Sequence, residues 1–122
     1  MNGLIPQPLD EILREMDREF LSKQLKISVE DFYRWWKEGD AIALDVRTPE
    51  EVELVKIGPS IHIPLNELPD RYKEVPDDKI VAIFCPGKIR AAIAYTFLRA
   101  KGYTNVKILA GGLEDLAALK RP

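Results

Sequence analysis

The sequence predicts an α/β fold built on a mostly parallel sheet covered by helices on both faces, and three observations carry that expectation. Short apolar runs and amphipathic stretches alternate along the chain from Lys26 onward. Glycine, proline and aspartate punctuate the junctions between them. The strongest strand signal, Lys79 to Cys85 (KIVAIFC), is almost continuously apolar, so it is expected at the centre of the sheet.

Taken in order, Pro6 and Pro8 precede Asp10, which is placed to cap a helix where Leu9, Leu13, Met16 and Phe20 recur at helical spacing. Such a stripe is expected to pack on its own domain, making residues 1–25 an N-terminal helical extension of a domain spanning residues 26–122. Lys26 to Ser28 reads as a short strand. Ser28 then caps a helix through Phe32, Trp35 and Trp36 that stops at Gly39, the tryptophans serving as helix packing with one half exposed. Ala41 to Val46 (AIALDV) suits a buried parallel strand, with Asp45 near its C-terminal end. Pro49 opens a helix over Glu50 to Lys56, and Gly58-Pro59 stops it before a second apolar run, Ile61 to Leu65.

A short helix near Asn66 to Glu74 and a turn at Pro76-Asp77-Asp78 lead into the central strand. From Lys88 to Lys101, the residues Ile89, Ala92, Ile93, Thr96, Phe97 and Ala100 fall on one helical face, and Gly102 supplies the stop. Val106 to Leu109 is the last strand, and Gly111-Gly112 turns into a short terminal helix.

A chain of 122 residues that is 46% hydrophobic and 31% charged matches one domain with a real core. Eighteen basic against twenty acidic residues, a net charge of −2, provide no polycationic surface, so nucleic acid is not an expected partner. Nothing reaches membrane-spanning length, and the N-terminus lacks a basic leader followed by an apolar run; no membrane partner is expected. The single cysteine permits no internal disulfide and no cysteine pair for a metal, which points to a reducing, cytoplasmic setting with no metal and no cofactor.

That one thiol, Cys85, ends the central strand, and Pro86-Gly87-Lys88-Ile89-Arg90 leads from it directly into a helix. In an open parallel sheet, reactive groups gather outside the carboxyl ends of the strands. Backbone N–H groups and the positive helix end are expected to face the sulfur and favour its thiolate. Lys88 and Arg90 add two cations, and the planar fork of Arg90 suits an oxyanion. The bland reading is a buried core cysteine, since free cysteine packs as a small hydrophobe. The polar, cationic loop that begins one residue later favours the functional one. His62, the only histidine, has no identifiable triad partner or second metal ligand and reads as structural.

The segment LDVRTPEEVELVKIGPSIHIPL (Leu44 to Leu65) and the loop CPGKIR resemble the two signature segments of rhodanese-like sulfurtransferases, over roughly Lys26 to Leu119. The resemblance implies a three-layer fold with a five-stranded, mostly parallel sheet, here with an added N-terminal helix. It implies that Cys85 carries sulfur as a persulfide and that Pro86, Gly87, Lys88, Ile89 and Arg90 cradle the substrate. Asp45, Arg47 and Glu51 would support the site structurally. Arg47 and Glu51, four apart, are expected to pair and brace the loop rim, and Asp45 to accept backbone hydrogen bonds. Gly111 and Gly112 match the family's paired glycines before its last helix.

The implied partners are a small-molecule sulfur donor such as a thiosulfate-like anion, and a thiol, cyanide or protein acceptor. The chain departs from the family pattern in several places. Gly87 comes one residue early, Lys88 takes the usual glycine position, Ala91 replaces a serine, Lys56 replaces a histidine, and Gly58-Pro59 reverses a Pro-Gly. Pro86 also has no N–H to offer the sulfur.

Two other readings follow from the same residues. A cysteine phosphatase or arsenate reductase would use a longer loop between cysteine and arginine to surround a tetrahedral oxyanion with N–H donors. A rhodanese-like interaction module that has lost activity would account for Pro86, the displaced glycine and the N-terminal extension.

Overall fold

In the computed structural model, which describes residues 4–55, 60–112, 114 and 115, five strands form one sheet: β1 (Lys26–Ser28), β2 (Ala41–Asp45), β3 (Ser60–His62), β4 (Ile80–Phe84) and β5 (Val106–Ala110). Their order is β1-β5-β4-β2-β3, and every neighbouring pair is parallel. The expected mostly parallel sheet and its central KIVAIFC strand are both present. Burial on both faces explains why β4 reads as unbroken apolar sequence. Val81, Ile83 and Cys85 belong to one core cluster, and Ala82 and Phe84 to the other.

Helices cover both faces. On one side α3 (Val29–Lys37) packs Val29 and Phe32 on Ala41, Ala43, Ala82 and Phe84. Ser28 caps it as expected, its hydroxyl accepting from Asp31 N–H at 3.0 Å, and Trp35 is 40% exposed while Trp36 packs on the cluster. The second strand-to-helix connection leads into α4 (Pro49–Leu54), and a 3-10 turn (Leu65–Glu67), α5 (Leu68–Arg71) and another 3-10 turn (Tyr72–Glu74) replace the single helix expected near Asn66 to Glu74. The proposed stop at Gly58-Pro59 and the terminal helix beyond Asp115 lie outside the described residues.

The other face is covered by α6 (Ile89–Ala100), whose buried residues are Ala91, Ala94, Tyr95, Leu98 and Arg99. This corrects the face read from sequence. Ile89 and Ile93 are exposed, and Ala92, Ile93, Thr96, Phe97 and Ala100 line a surface groove beside Leu9. Apolar residues surround this helix, so spacing alone cannot select the face it buries.

The N-terminal stretch is two helices, α1 (Leu9–Glu15) and α2 (Arg18–Lys23), not one. Pro8, not Asp10, occupies the first N-cap, with the extended backbone a cap needs, and Asp10 sits in the first turn where its charge favours the positive helix end. Asp17 interrupts the stripe by capping α2, accepting from Phe20 N–H at 2.9 Å. Both helices are tied to α6. Gln7 N–H donates to Ala100 O at 2.9 Å, and Arg99, buried beneath them, donates to Glu15 at 2.7 Å and to the Tyr95 hydroxyl at 2.9 Å.

At the end of α6, Gly102 adopts φ +108°, and a Cβ placed there would lie 2.6 Å from the Ile5 carbonyl oxygen. Gly102→Ala should therefore cost at least about 2 kcal/mol, from backbone strain and from displacing the N-terminal strap together. Urea unfolding of the two proteins measures it.

Candidate active site

Cys85 closes β4 with its side chain toward α6. Its Sγ accepts a hydrogen bond from Ala91 N–H at 3.1 Å, so the sulfur faces the helix start as expected. It is also only 2% exposed and packs within the larger core cluster. Cys85, expected at an open mouth, is instead buried, because the strand alternation that aims its sulfur at α6 also aims it at the core. With Ala91 in place of serine and Pro86 lacking an N–H, the Ala91 amide is the single backbone donor to Sγ among the described residues.

The loop geometry explains the shifted glycine. Lys88 N–H reaches back to Cys85 O at 3.4 Å, closing a turn around Pro86 and Gly87, and Lys88 itself takes φ +64°. Lys88 is the only non-glycine residue with positive φ among the described residues, and it stands where the family pattern has glycine. Gly87 does not use its freedom, having negative φ and nothing within 4 Å of a built Cβ. Pro86 to Ile89 are exposed and Arg90 is partly buried.

The supporting residues are paired differently from expectation. Arg47 does not meet Glu51. It turns back to Asp45, with Nη2 to Oδ2 at 2.8 Å and Nε to Oδ1 at 3.0 Å, and both side chains are buried. Arg47 N–H also donates to Asp45 Oδ1 at 3.0 Å, which is the backbone bond anticipated for Asp45. Further contacts fix the arginine: Nη2 donates to Val55 O at 2.7 Å, and the guanidinium lies 5.4 Å from the centre of the Phe84 ring. His62 Nε2 is 2.8 Å from Arg47 O; a carbonyl only accepts, so this nitrogen carries the proton, in keeping with a structural histidine.

Glu51 has two other duties. It completes a capping box with Thr48, and it receives Arg90 through two parallel bonds, Nη1 to Oε1 at 2.6 Å and Nη2 to Oε2 at 3.0 Å. The four-residue spacing of Arg47 and Glu51 misled because Arg47 precedes the helix, where the i, i+4 rule has no force. The signal that locates Glu51 is Thr48-Pro49-Glu50-Glu51, a Thr with Glu three residues on. Hydrogen bonds from Arg90, and then from Thr48 N–H, hold the Glu51 carboxyl down at about 2. Arg90 is held charged above its ordinary value, first by hydrogen bonding to Glu51 and, more weakly, by the nearby Cys85 and Asp45.

A cleft of about 510 Å³ opens beside this pair, between the start of α4 and the Pro64–Glu67 segment. None of its lining residues other than Arg90 was expected as a site residue from sequence, because the topology alone brings them together. No helix among the described residues is long and apolar enough to cross a membrane.

Comparison with known proteins adds the following. Residues 28–119 match the model of the rhodanese-like domain. A sulfurtransferase from Allochromatium vinosum is 30% identical over 102 residues, covering 84% of this chain and 86% of that protein. The thiosulfate sulfurtransferase PspE of Escherichia coli is 35% identical over 79 residues, 63% of this chain and 75% of that one. The crystal structure of a rhodanese-related protein from Thermoplasma volcanium superposes with a TM-score of 0.68 at 33% identity, covering 80% of this chain and 95% of that one.

Two outcomes follow from the geometry. Lys88→Gly should raise stability by about 1 kcal/mol by relieving the positive φ, whereas Gly87→Ala should change it by less than about 1 kcal/mol; chemical denaturation reads both. Because the Glu51 carboxyl is lowered from 4.5 to about 2, its contribution is complete above pH 4.5 and disappears as pH falls toward 2. The stability gap between wild type and Glu51→Gln should close across that window in denaturation series at successive pH values.

Proposed function

Since this chain belongs to the rhodanese-like domain family, we propose that it is a sulfurtransferase that carries sulfane sulfur on Cys85. The observation that carries this reading is the placement of Sγ at the first turn of α6, within hydrogen-bond reach of Ala91 N–H, in a loop that also carries Lys88 and Arg90. A sulfur anion there meets the positive end of a twelve-residue helix.

The reaction proceeds in two displacements. The Cys85 thiolate attacks the outer sulfur of a thiosulfate-like donor; a new S–S bond forms, the donor's own S–S bond breaks, and sulfite departs with the electron pair. An acceptor thiolate or cyanide then attacks the outer sulfur of the persulfide. Its bond to Sγ breaks, returning the electron pair to Cys85 as thiolate. No proton has to be removed from a carbon or oxygen, so no general base is needed.

Lys88 is the cation assigned to the donor. Arg90 is occupied by Glu51, while Lys88 has no carboxylate partner among the described residues. Arg90 acts by tying the loop to α4, and Asp45 and Arg47 support the floor beneath it. Transfer requires the sulfur of Cys85, a residue 2% exposed, to become accessible to donor and acceptor. A thiol kept free in this way suits a reducing compartment such as the cytoplasm.

That same burial supports a second reading, a rhodanese-like interaction module without transfer activity. The phosphatase reading is disfavoured, because one N–H on the sulfur and four residues between Cys85 and Arg90 make a poor cradle for a tetrahedral oxyanion.

Incubation with thiosulfate followed by intact-mass measurement decides between transfer and module. Cys85 should gain one sulfur atom with release of sulfite, and Cys85→Ser should gain none. A protein that stays unmodified with thiosulfate and with mercaptopyruvate, yet is alkylated at Cys85, is not a transferase. In the active case, Lys88→Gln should raise KM for thiosulfate by about three- to fivefold, the effect of one exposed charge.

A further inference from the structure

The cleft beside the Arg90–Glu51 pair has a chemistry of its own. Val46, Pro64 and Leu65 form its apolar wall, and Glu50, Glu67 and Arg90 stand at its rim. Two connections link it to the segment that carries Cys85. Arg90 belongs both to this rim and to the Cys85 loop, and Val46 N–H donates at 3.2 Å to the carbonyl of Phe84, the residue before Cys85.

The rim is unbalanced in charge. Arg90 is neutralised by Glu51, and Arg71 is shared between Glu67 and Glu74 at 2.9 Å each. Glu50 has no cationic partner among the described residues. Of the three charged residues that line the cleft, Glu50 and Glu67 are acidic and Arg90 basic; Glu67 and Arg90 are each paired, which leaves the Glu50 carboxylate as the uncompensated charge among the described lining residues.

We propose that this cleft is the acceptor subsite and that it takes a small thiol bearing a positively charged amine, its carbon chain against Val46, Pro64 and Leu65 and its ammonium toward Glu50. The inference rests on the sulfurtransferase reading and adds the class of acceptor to it. The anionic donor is drawn by Lys88, and the cationic acceptor by the Glu50 carboxylate, so the two half-reactions recruit substrates of opposite charge to one sulfur. The acceptor thiolate attacks the outer sulfur, the Sγ–S bond breaks, and the acceptor leaves as a persulfide while Cys85 returns to thiolate.

The test uses the full chain loaded with sulfur from thiosulfate, freed of donor, and verified by intact mass. Loaded protein is mixed with cysteamine, mercaptoethanol or mercaptoacetate at equal thiolate concentration, and the decay of the persulfide is followed by quenched mass measurement. Cysteamine should react about fivefold faster than mercaptoacetate after correction for thiol basicity, with mercaptoethanol between them. Glu50→Gln and raised ionic strength should each shrink that ratio by about half or more. Rates that follow thiol basicity alone, or a ratio unchanged in Glu50→Gln and in salt, overturn the acceptor assignment while leaving transfer itself intact. A protein that never loads sulfur at Cys85 overturns the transferase reading and the subsite with it.

Discussion

The buried ion pair between Asp45 and Arg47 is the constraint on which the site depends. It joins the end of β2 to the last turn of α4 through Val55 O, to β3 through the His62 ring, and to the end of β4 through the Phe84 face. Both charges are out of water, so removing either partner would strand the other at a cost of about 3–5 kcal/mol. The pair therefore acts as a rivet at the carboxyl edge of the sheet. Phe84, held under the guanidinium, sets where the next residue, Cys85, emerges.

A second layer of charge rests on this rivet. Glu51 closes α4 through its capping box and reaches across to Arg90, a residue 39 positions later in the chain. One carboxylate thereby fixes a helix start and the far end of the cysteine loop together. The loop between is held in a less comfortable state, since Lys88 takes a backbone conformation that glycine would adopt without strain. Strain retained beside Cys85, with a glycine available one position earlier and not used, argues that the lysine side chain is what this position keeps.

The sheet was legible because its strands are nearly pure apolar runs, and the alternation of segments required parallel pairing with helical covers. The position of Cys85 after β4 and before α6 followed from the same pattern. The face buried by α6 was not legible: Ala91, Ala94 and Leu98 look no more apolar than Ile89, Ile93 and Phe97, and only the position of α1 and the sheet decides between them. The Arg90–Glu51 bond links distant residues and leaves no local trace. Arg47 was placed with the wrong carboxylate because two were within reach in sequence, and the choice of Asp45 depends on a backbone turn that also brings Arg47 N–H to the same oxygen. The acidic cleft was invisible for a related reason, since its walls come from segments that meet only when the sheet is assembled.

The sealing of Cys85 also bears on its chemical lifetime. A thiolate open to solvent climbs readily to sulfenic and sulfinic acids, the last step beyond recovery by ordinary thiols. Cys85 is 2% exposed and packed within the core cluster, so its sulfur is shielded from peroxide as from any other solute. The burial that withholds this thiol from solvent therefore also slows its passage up the oxidation ladder.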